Sequence, residues 1–126
     1  MSNIREISAN SFSKEVLHVE EPVIVEFFSH SCPHCIKFDP AYAHLAEALD
    51  GQALFFKIDV LRSGANRTLA HRRGVRTVPT LEIFYRGRVI GSMVGYHEVK
   101  KLVPTVKKFL SEKEENIGPG THLADA

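Results

Sequence analysis

The sequence predicts one α/β domain in which helices cover both faces of a central mixed β-sheet. Strand-like and helix-like segments alternate along residues 1–111, which is the pattern of a layered α/β fold. Residues 23–28 are apolar on both faces apart from Glu26, as in a central strand that helices cover on both sides. Arg86-Gly87 separates two later strand-like runs and indicates a hairpin. The length of 126 residues suits a single domain.

Five strands are predicted from short runs that are rich in β-branched and aromatic residues. In chain order these runs cover residues 4–7, 23–28, 53–60, 80–85 and 88–94. The last two runs would form the arms of the hairpin.

Four helices are predicted, and in two of them, those from Pro33 and from Val99, apolar residues recur at spacings of three and four. The predicted helices begin after Asn10, at Pro33, near Arg67 and at Val99. Gly51 would end the second of them. Residues 112–126 are acidic at first, then rich in Gly and Pro, so we predict a flexible tail after a domain of residues 1–111.

Composition and charge argue against several classes of protein. A chain that is 44% hydrophobic and 25% charged can bury a core without metal or disulfide cross-links. A formal net charge of +1 gives no reason to expect nucleic acid or a membrane as the partner. The first residues lack the pattern of a secretory signal, and two cysteines are too few for a disulfide-rich scaffold. We therefore expect a cytoplasmic protein, with a mature secreted domain as the alternative. We also expect a monomer.

Cys32 and Cys35 are separated by two residues, a spacing that allows a disulfide with little backbone movement. At the predicted helix start, free amide groups and the positive end of the helix dipole favour a thiolate on Cys32. Pro33 fits the first helical turn, where its missing N–H costs little. A thiolate attacks a substrate disulfide to give a mixed disulfide, which Cys35 then resolves. The motif predicts a catalytic dithiol with Cys32 exposed and Cys35 shielded.

His34 lies between the two cysteines. A protonated imidazole near the helix start would stabilise the Cys32 thiolate and make the disulfide a stronger oxidant. The alternative is a solvated histidine that only fills the turn.

The same spacing occurs in zinc sites, with His30, Cys32, His34 and Cys35 as the conceivable ligands. Ligands packed this closely, with Pro33 among them, would hardly surround a tetrahedral ion, and the sequence has no second such motif. We therefore expect no metal and no cofactor beyond the redox-active disulfide. A metal shared between two chains is the alternative.

From about Ile4 to Leu110 the chain resembles the thioredoxin superfamily. The segments that carry the resemblance are Val-Ile-Val-Glu-Phe-Phe, Ser-Cys-Pro-His-Cys, Pro40, Phe-Phe-Lys-Ile-Asp-Val, Val78-Pro79-Thr80, Arg86-Gly87 and Gly95. They occur in the order that the thioredoxin fold requires. The resemblance implies that fold and thiol–disulfide oxidoreductase activity.

The resemblance also implies a cis peptide bond between Val78 and Pro79, beside the cysteines. Together with Thr77, this backbone would hold a substrate chain as an added strand. The alternative is a trans proline at the start of an edge strand.

For Glu26 the resemblance implies a buried acid behind Cys35 that assists its deprotonation. Burial should raise the pKa of Glu26 and suit it to proton exchange near neutral pH. Lys57 resembles the partner lysine of the family on the adjacent strand. The alternative is a Glu26–Lys57 pair that only stabilises the fold.

Five arginines occur between residues 62 and 76, close to the predicted proline loop. They would either attract acidic partner surfaces or form a solvated helix face.

The chain departs from thioredoxins at Ser31, where Trp is usual, and at Pro33-His34, where Gly-Pro is usual. Cys-Pro-His-Cys resembles the active site of the DsbA family of periplasmic thiol oxidases, although this chain has no room for their inserted helical domain. We expect a thioredoxin-like disulfide reductase of cysteine-containing proteins, recharged by a thioredoxin-reductase-like electron donor. The alternatives are a thiol oxidase or isomerase, and a binding module without redox turnover.

Overall fold

The computed structural model describes residues 3–117, and within them one five-stranded sheet carries helices on both faces. The strands are β1 (Ile4–Glu6), β2 (Val23–Phe28), β3 (Leu54–Asp59), β4 (Thr80–Tyr85) and β5 (Arg88–Val94). The helices are α1 (Ala9–Phe12), which continues as a π-helical turn (Ser13–Leu17), α2 (Pro33–Ala48), α3 (Gly64–Arg72), α4 (Val99–Ser111) and α5 (Lys113–Ile117).

The strands lie in the order β1-β3-β2-β4-β5, so the sheet is mixed as predicted. β3 pairs in parallel with both β1 and β2, whereas β4 is antiparallel to β2 and to β5. The hairpin turn has positive φ angles at Arg86 (52°) and Gly87 (81°). Two such angles characterise the two-residue turn whose twist matches that of the flanking strands.

The two faces of β2 pack against different helices. Ile24 belongs to the core beneath α2 and α4, while Val25 belongs to the core beneath α1 and α3. Since side chains alternate along a strand, Glu26 lies on the Ile24 face, toward α2. The sheet thus places Glu26 beneath α2, the helix whose first turn carries Cys35 and which begins directly after Cys32.

The predicted strands and helices are all present, with differences at their ends. α3 begins at Gly64, earlier than the predicted start near Arg67, because the Ser63 side chain accepts a hydrogen bond from the Asn66 N–H and caps the helix. The predicted tail begins with α5, where Glu114 accepts a hydrogen bond of 2.8 Å from the Tyr85 hydroxyl. The rest of that predicted tail, from residue 118 onward, lies outside the described residues. No helix within residues 3–117 has the length and apolar character to cross a membrane.

Candidate active site

Cys32 caps the N-terminus of α2, and both cysteines are thiols in this structure. The backbone N–H of Cys35 donates a hydrogen bond of 3.2 Å to the Cys32 sulfur. Pro33 occupies the first helical turn, as predicted. Cys32 is partly exposed and Cys35 is 1% exposed. The helix therefore presents one sulfur to solvent and keeps the other beneath it.

The loop from β2 to α2 holds Cys32 in place through two serines. The Cys32 N–H donates to the Ser29 carbonyl at 3.1 Å. The hydroxyls of Ser29 and Ser31 lie 3.0 Å apart, and the Ser31 N–H donates to the Ser29 hydroxyl at 3.3 Å. Because Ser29 is buried, these bonds connect the exposed loop to the interior of the protein.

The loop before β4 lies beside the exposed sulfur. The peptide bond between Val78 and Pro79 is cis, as predicted. The Cys32 thiol donates to the Val78 carbonyl over a distance of 3.7 Å, within the longer range of hydrogen bonds that involve sulfur. The Thr77 carbonyl accepts a bond of 2.7 Å from the Thr80 hydroxyl, and the Pro79 carbonyl accepts one of 2.7 Å from Gly95 N–H. The fold thus brings the predicted substrate-binding residues to the predicted attacking sulfur.

Cys35 holds its proton strongly. Burial is the largest cause, and with the hydrogen bond to Cys32 it raises the pKa of Cys35 to about 12, against a weaker opposing backbone hydrogen bond from Ser29. Cys35 therefore needs a proton acceptor if it is to attack a mixed disulfide near neutral pH.

Glu26 is fully buried, and neither of its carboxyl oxygens has a hydrogen-bond partner among the described residues. Burial, together with the negative charge of Asp39, raises its pKa from 4.5 to about 8, with the positive charge of Lys57 acting in the opposite direction. The charge of Glu26 in turn raises the pKa of Cys35. The two groups are therefore electrostatically linked, and a pKa of about 8 would suit Glu26 to proton exchange near neutral pH.

Lys57 is the register partner of Glu26 on β3, yet the two side chains make no ion pair. The Lys57 ammonium lies 4.7 Å from the centroid of the Phe28 ring instead. Lys57 therefore acts on Glu26 through its charge alone. The alternative of a purely stabilising Glu26–Lys57 pair has no contact to support it.

His34 is exposed on the first turn of α2, and its ring makes no hydrogen bond or ion pair with the described residues. If His34 tunes the reactivity of Cys32, it therefore does so through the charge of its ring near the start of α2.

The four residues that the sequence offered as metal ligands, His30, Cys32, His34 and Cys35, do not come together as a set. The one group of potential ligands within residues 3–117 is Glu6, His30 and Asp59, in which the His30 ring lies 3.4 Å and 3.7 Å from the two carboxylates.

Asp39 is a contributor that the sequence did not single out. It raises the pKa of Glu26 from α2, one turn after Cys35. The spacing of four residues from Cys35 is the signal that could have found it, because residues four apart share a helix face.

Comparison with known proteins gives consistent matches. The family model described as thioredoxin matches residues 3–108. A thioredoxin from Synechocystis sp. is 31% identical over 110 residues, which are 87% of this chain and 100% of that protein. The chloroplastic thioredoxin M4 of Arabidopsis thaliana is 33% identical over 106 residues, 84% of this chain and 53% of that protein. A protein disulfide isomerase-like 2-3 from Oryza sativa subsp. japonica is 31% identical over 102 residues, 81% of this chain and 22% of that protein.

Proposed function

The chain belongs to the thioredoxin family of thiol–disulfide oxidoreductases, and we propose that it works as a reductase of disulfides in other proteins. The observation that carries the proposal is the pair of sulfurs at the start of α2. Cys32 is accessible and accepts a hydrogen bond from the Cys35 N–H, while Cys35 is buried behind it. Two relatives that match this chain over their whole length are named thioredoxin, and this name supports electron flow from this protein to its substrates.

The first step uses Cys32 as the nucleophile. Its thiolate attacks one sulfur of the substrate disulfide, a new bond forms between Cys32 and that sulfur, and the second substrate sulfur leaves as a thiolate that takes a proton from water. The Cys35 N–H stabilises negative charge on the Cys32 sulfur before the attack. The Val78 carbonyl, next to that sulfur, offers a backbone acceptor to the substrate chain.

The second step uses Cys35. Its thiol transfers a proton to the Glu26 carboxylate and its sulfur attacks Cys32, which releases the reduced substrate as a thiolate and leaves a Cys32–Cys35 disulfide. Two electrons have then moved from the protein dithiol to the substrate. The pKa of about 8 suits Glu26 to accept this proton and to return it when the disulfide is reduced again.

A dithiol of this kind needs a partner that reduces it after each cycle. We propose a thioredoxin-reductase-like electron donor, linked to NADPH or ferredoxin, and no cofactor beyond the Cys32–Cys35 disulfide. We also propose a cytoplasmic location, since two cysteines in a CxxC are more typical of catalysis than of a cross-linked secreted scaffold, and we propose that the protein is a monomer.

Oxidation or isomerisation is the second candidate, and the Cys-Pro-His-Cys sequence is the observation that favours it. A positive charge at His34 would stabilise the dithiol form and favour electron flow into this protein. The similarity to the protein disulfide isomerase-like 2-3 supports the same candidate.

Insulin reduction by dithiothreitol tests the redox activity. We expect the wild-type chain to accelerate insulin precipitation strongly, and Cys35→Ser to lose turnover and to trap insulin as a mixed disulfide. Cys32→Ser is the matched control, because it keeps one thiol of the same pair but should trap nothing. A wild-type rate equal to the dithiothreitol background would leave only the binding-module alternative.

The direction of electron flow is tested by the reduction potential against a glutathione buffer. A reductase requires a value near that of thioredoxins, about −270 mV. A value of about −120 mV, typical of DsbA, would instead support the oxidase.

A further inference from the structure

An apolar groove of about 370 Å³ lies beside the active-site sulfur, between the end of β3 and the segment that leads to Pro79. Its apolar lining consists of Val60, Leu61, Ala70, Val75 and Val78. Leu61 is 55% exposed, although it is a large apolar residue. We call this feature the Val78 groove.

The Val78 groove is continuous with the exchange site. Val78 lines the groove, and its carbonyl oxygen lies 3.7 Å from the Cys32 sulfur. Ser29, which positions Cys32, lines it as well. A chain whose cysteine reacts at Cys32 therefore places neighbouring residues in or beside the groove.

Two arginines without ion pairs also line the Val78 groove. Arg67 and Arg76 are exposed, and neither makes an ion pair with any residue of the described part of the chain. Arg73 lies between them in sequence but is neutralised by Glu82, through bonds of 3.0 Å and 3.2 Å. The groove thus combines an apolar floor with two guanidinium groups available to a partner.

We propose that the Val78 groove selects protein substrates that carry an acidic side chain within about four residues of the reacting cysteine, with Arg67 and Arg76 binding the carboxylate. This inference rests on the proposed function. Because the formal net charge of the chain is only +1, the preference comes from these local charges and not from overall attraction. An extended chain advances ~3.3 Å per residue, so a short segment can reach from Cys32 along the groove.

The test measures the first exchange step alone, in a Cys35→Ser background. Synthetic peptides each carry one cysteine, activated as a mixed disulfide with thionitrobenzoate, and a Glu, Gln or Lys at one position near that cysteine. Cys32 attacks the peptide sulfur, a Cys32–peptide disulfide forms, and coloured thionitrobenzoate leaves as the thiolate. Since the leaving group is the same in every peptide, differences in second-order rate constant report the peptide alone.

We expect the Glu peptide to react about threefold or more faster than the Gln peptide at one or more positions, and the Lys peptide to react more slowly. The preference should shrink between about 0.02 M and about 0.5 M salt. The double substitution Arg67→Ser/Arg76→Ser should bring the Glu-to-Gln ratio close to one. Arg72→Ser is the matched control, because it removes an exposed charge that makes no ion pair within residues 3–117 and that lies on α3 outside the groove lining, so it should keep the ratio.

Equal rates for the Glu and Gln peptides, or a preference that survives the double substitution, would overturn this inference while thiol exchange itself is observed. Loss of reactivity toward all peptides in the double variant would mean that the arginines hold the fold, and would overturn it also. Release of thionitrobenzoate from no peptide would instead reject the proposed function. Sedimentation that shows dimers, lost in the double variant, would place a second copy of this chain in the groove.

Discussion

Arg73 donates two hydrogen bonds to the carboxylate of Glu82, with distances of 3.0 Å and 3.2 Å. Arg73 is the C-cap residue directly after α3 and Glu82 lies in β4, so the pair joins the two elements on either side of the Val78–Pro79 segment. The Arg73 guanidinium also packs 5.2 Å from the centroid of the Phe84 ring. Both side chains are largely withdrawn from water, at 23% and 9% exposure, so neither charge is well solvated alone.

We therefore predict that Glu82→Gln lowers the free energy of unfolding by about 1–3 kcal/mol, because it leaves the Arg73 charge without its partner. Glu47→Gln on the exposed side of α2 removes the same charge where no described residue forms an ion pair with it, and should change the free energy of unfolding by less than about 0.5 kcal/mol. Urea unfolding measures the free energy of unfolding of the wild type, of Glu82→Gln and of Glu47→Gln. Equal stabilities would mean that the pair contributes nothing to the fold.

A second prediction concerns Glu26 and stability. Burial raises the pKa of Glu26 in the folded protein to about 8, from an ordinary value of 4.5. Between these two pH values the folded protein therefore binds more protons than the unfolded chain. The stability of the wild type should therefore fall as the pH rises through this window. Glu26→Gln removes the free-energy cost of a buried carboxyl that must stay protonated, and should be more stable than the wild type by about 3 kcal/mol at a pH of about 7.

The difference between Glu26→Gln and wild type should shrink below a pH of about 4.5, where the carboxyl is protonated in both states. Denaturant unfolding across this pH range measures it. A constant difference at every pH would show that Glu26 does not titrate with a raised pKa.

A third prediction concerns Glu26 and the second step of exchange. Because the pKa of Cys35 is about 12, its thiol needs a proton acceptor near neutral pH, and we propose that Glu26 is this acceptor. Release of the substrate should therefore be slower in Glu26→Gln by about 10²-fold near neutral pH. The first step should change little, since Cys32 carries it out. Stopped-flow decay of a mixed disulfide with a fluorescent peptide separates the two steps, and similar decay in both proteins would assign proton acceptance to solvent.

The neighbours of Glu26 supply a fourth prediction, with opposite signs for two variants. Asp39 raises the Glu26 pKa and Lys57 lowers it. Asp39→Asn should therefore move the pH midpoint of the second step downward from about 8, whereas Lys57→Met should move it upward. The same stopped-flow experiment against pH tests both, and shifts in the same direction would contradict the assignment of the midpoint to Glu26.

A fifth prediction concerns His34. A cation at the start of α2 stabilises a thiolate on Cys32 and hence the reduced form of the protein. His34→Gln should make the disulfide harder to reduce, with a reduction potential about 10–30 mV more negative. His44→Gln, which removes an exposed histidine farther along the same helix, should leave the potential unchanged. If both variants match the wild type, His34 only fills the turn.

The sequence by itself determined what depends on neighbours along the chain. The strands at residues 80–85 and 88–94 were predicted at their observed ends, because the Arg86-Gly87 turn and a period of two are local properties. The position of Cys32 and Cys35 at a helix start is local as well, since Pro33 and the apolar spacing after it specify where α2 begins. The resemblance to thioredoxins, which extends over most of the chain, then implied the fold and the Val78–Pro79 loop.

Only the tertiary structure decided how distant side chains meet. Glu26 and Lys57 are neighbours in register without an ion pair, because Lys57 lies against the Phe28 ring. Glu82, in the middle of an apolar strand, finds its partner in Arg73, while Arg67 and Arg76 remain available beside the Val78 groove. Rules that use only neighbouring residues in the sequence do not distinguish the five arginines between residues 62 and 76. Their separation into paired and unpaired groups depends on side-chain directions, which the packing of α3 against the sheet sets.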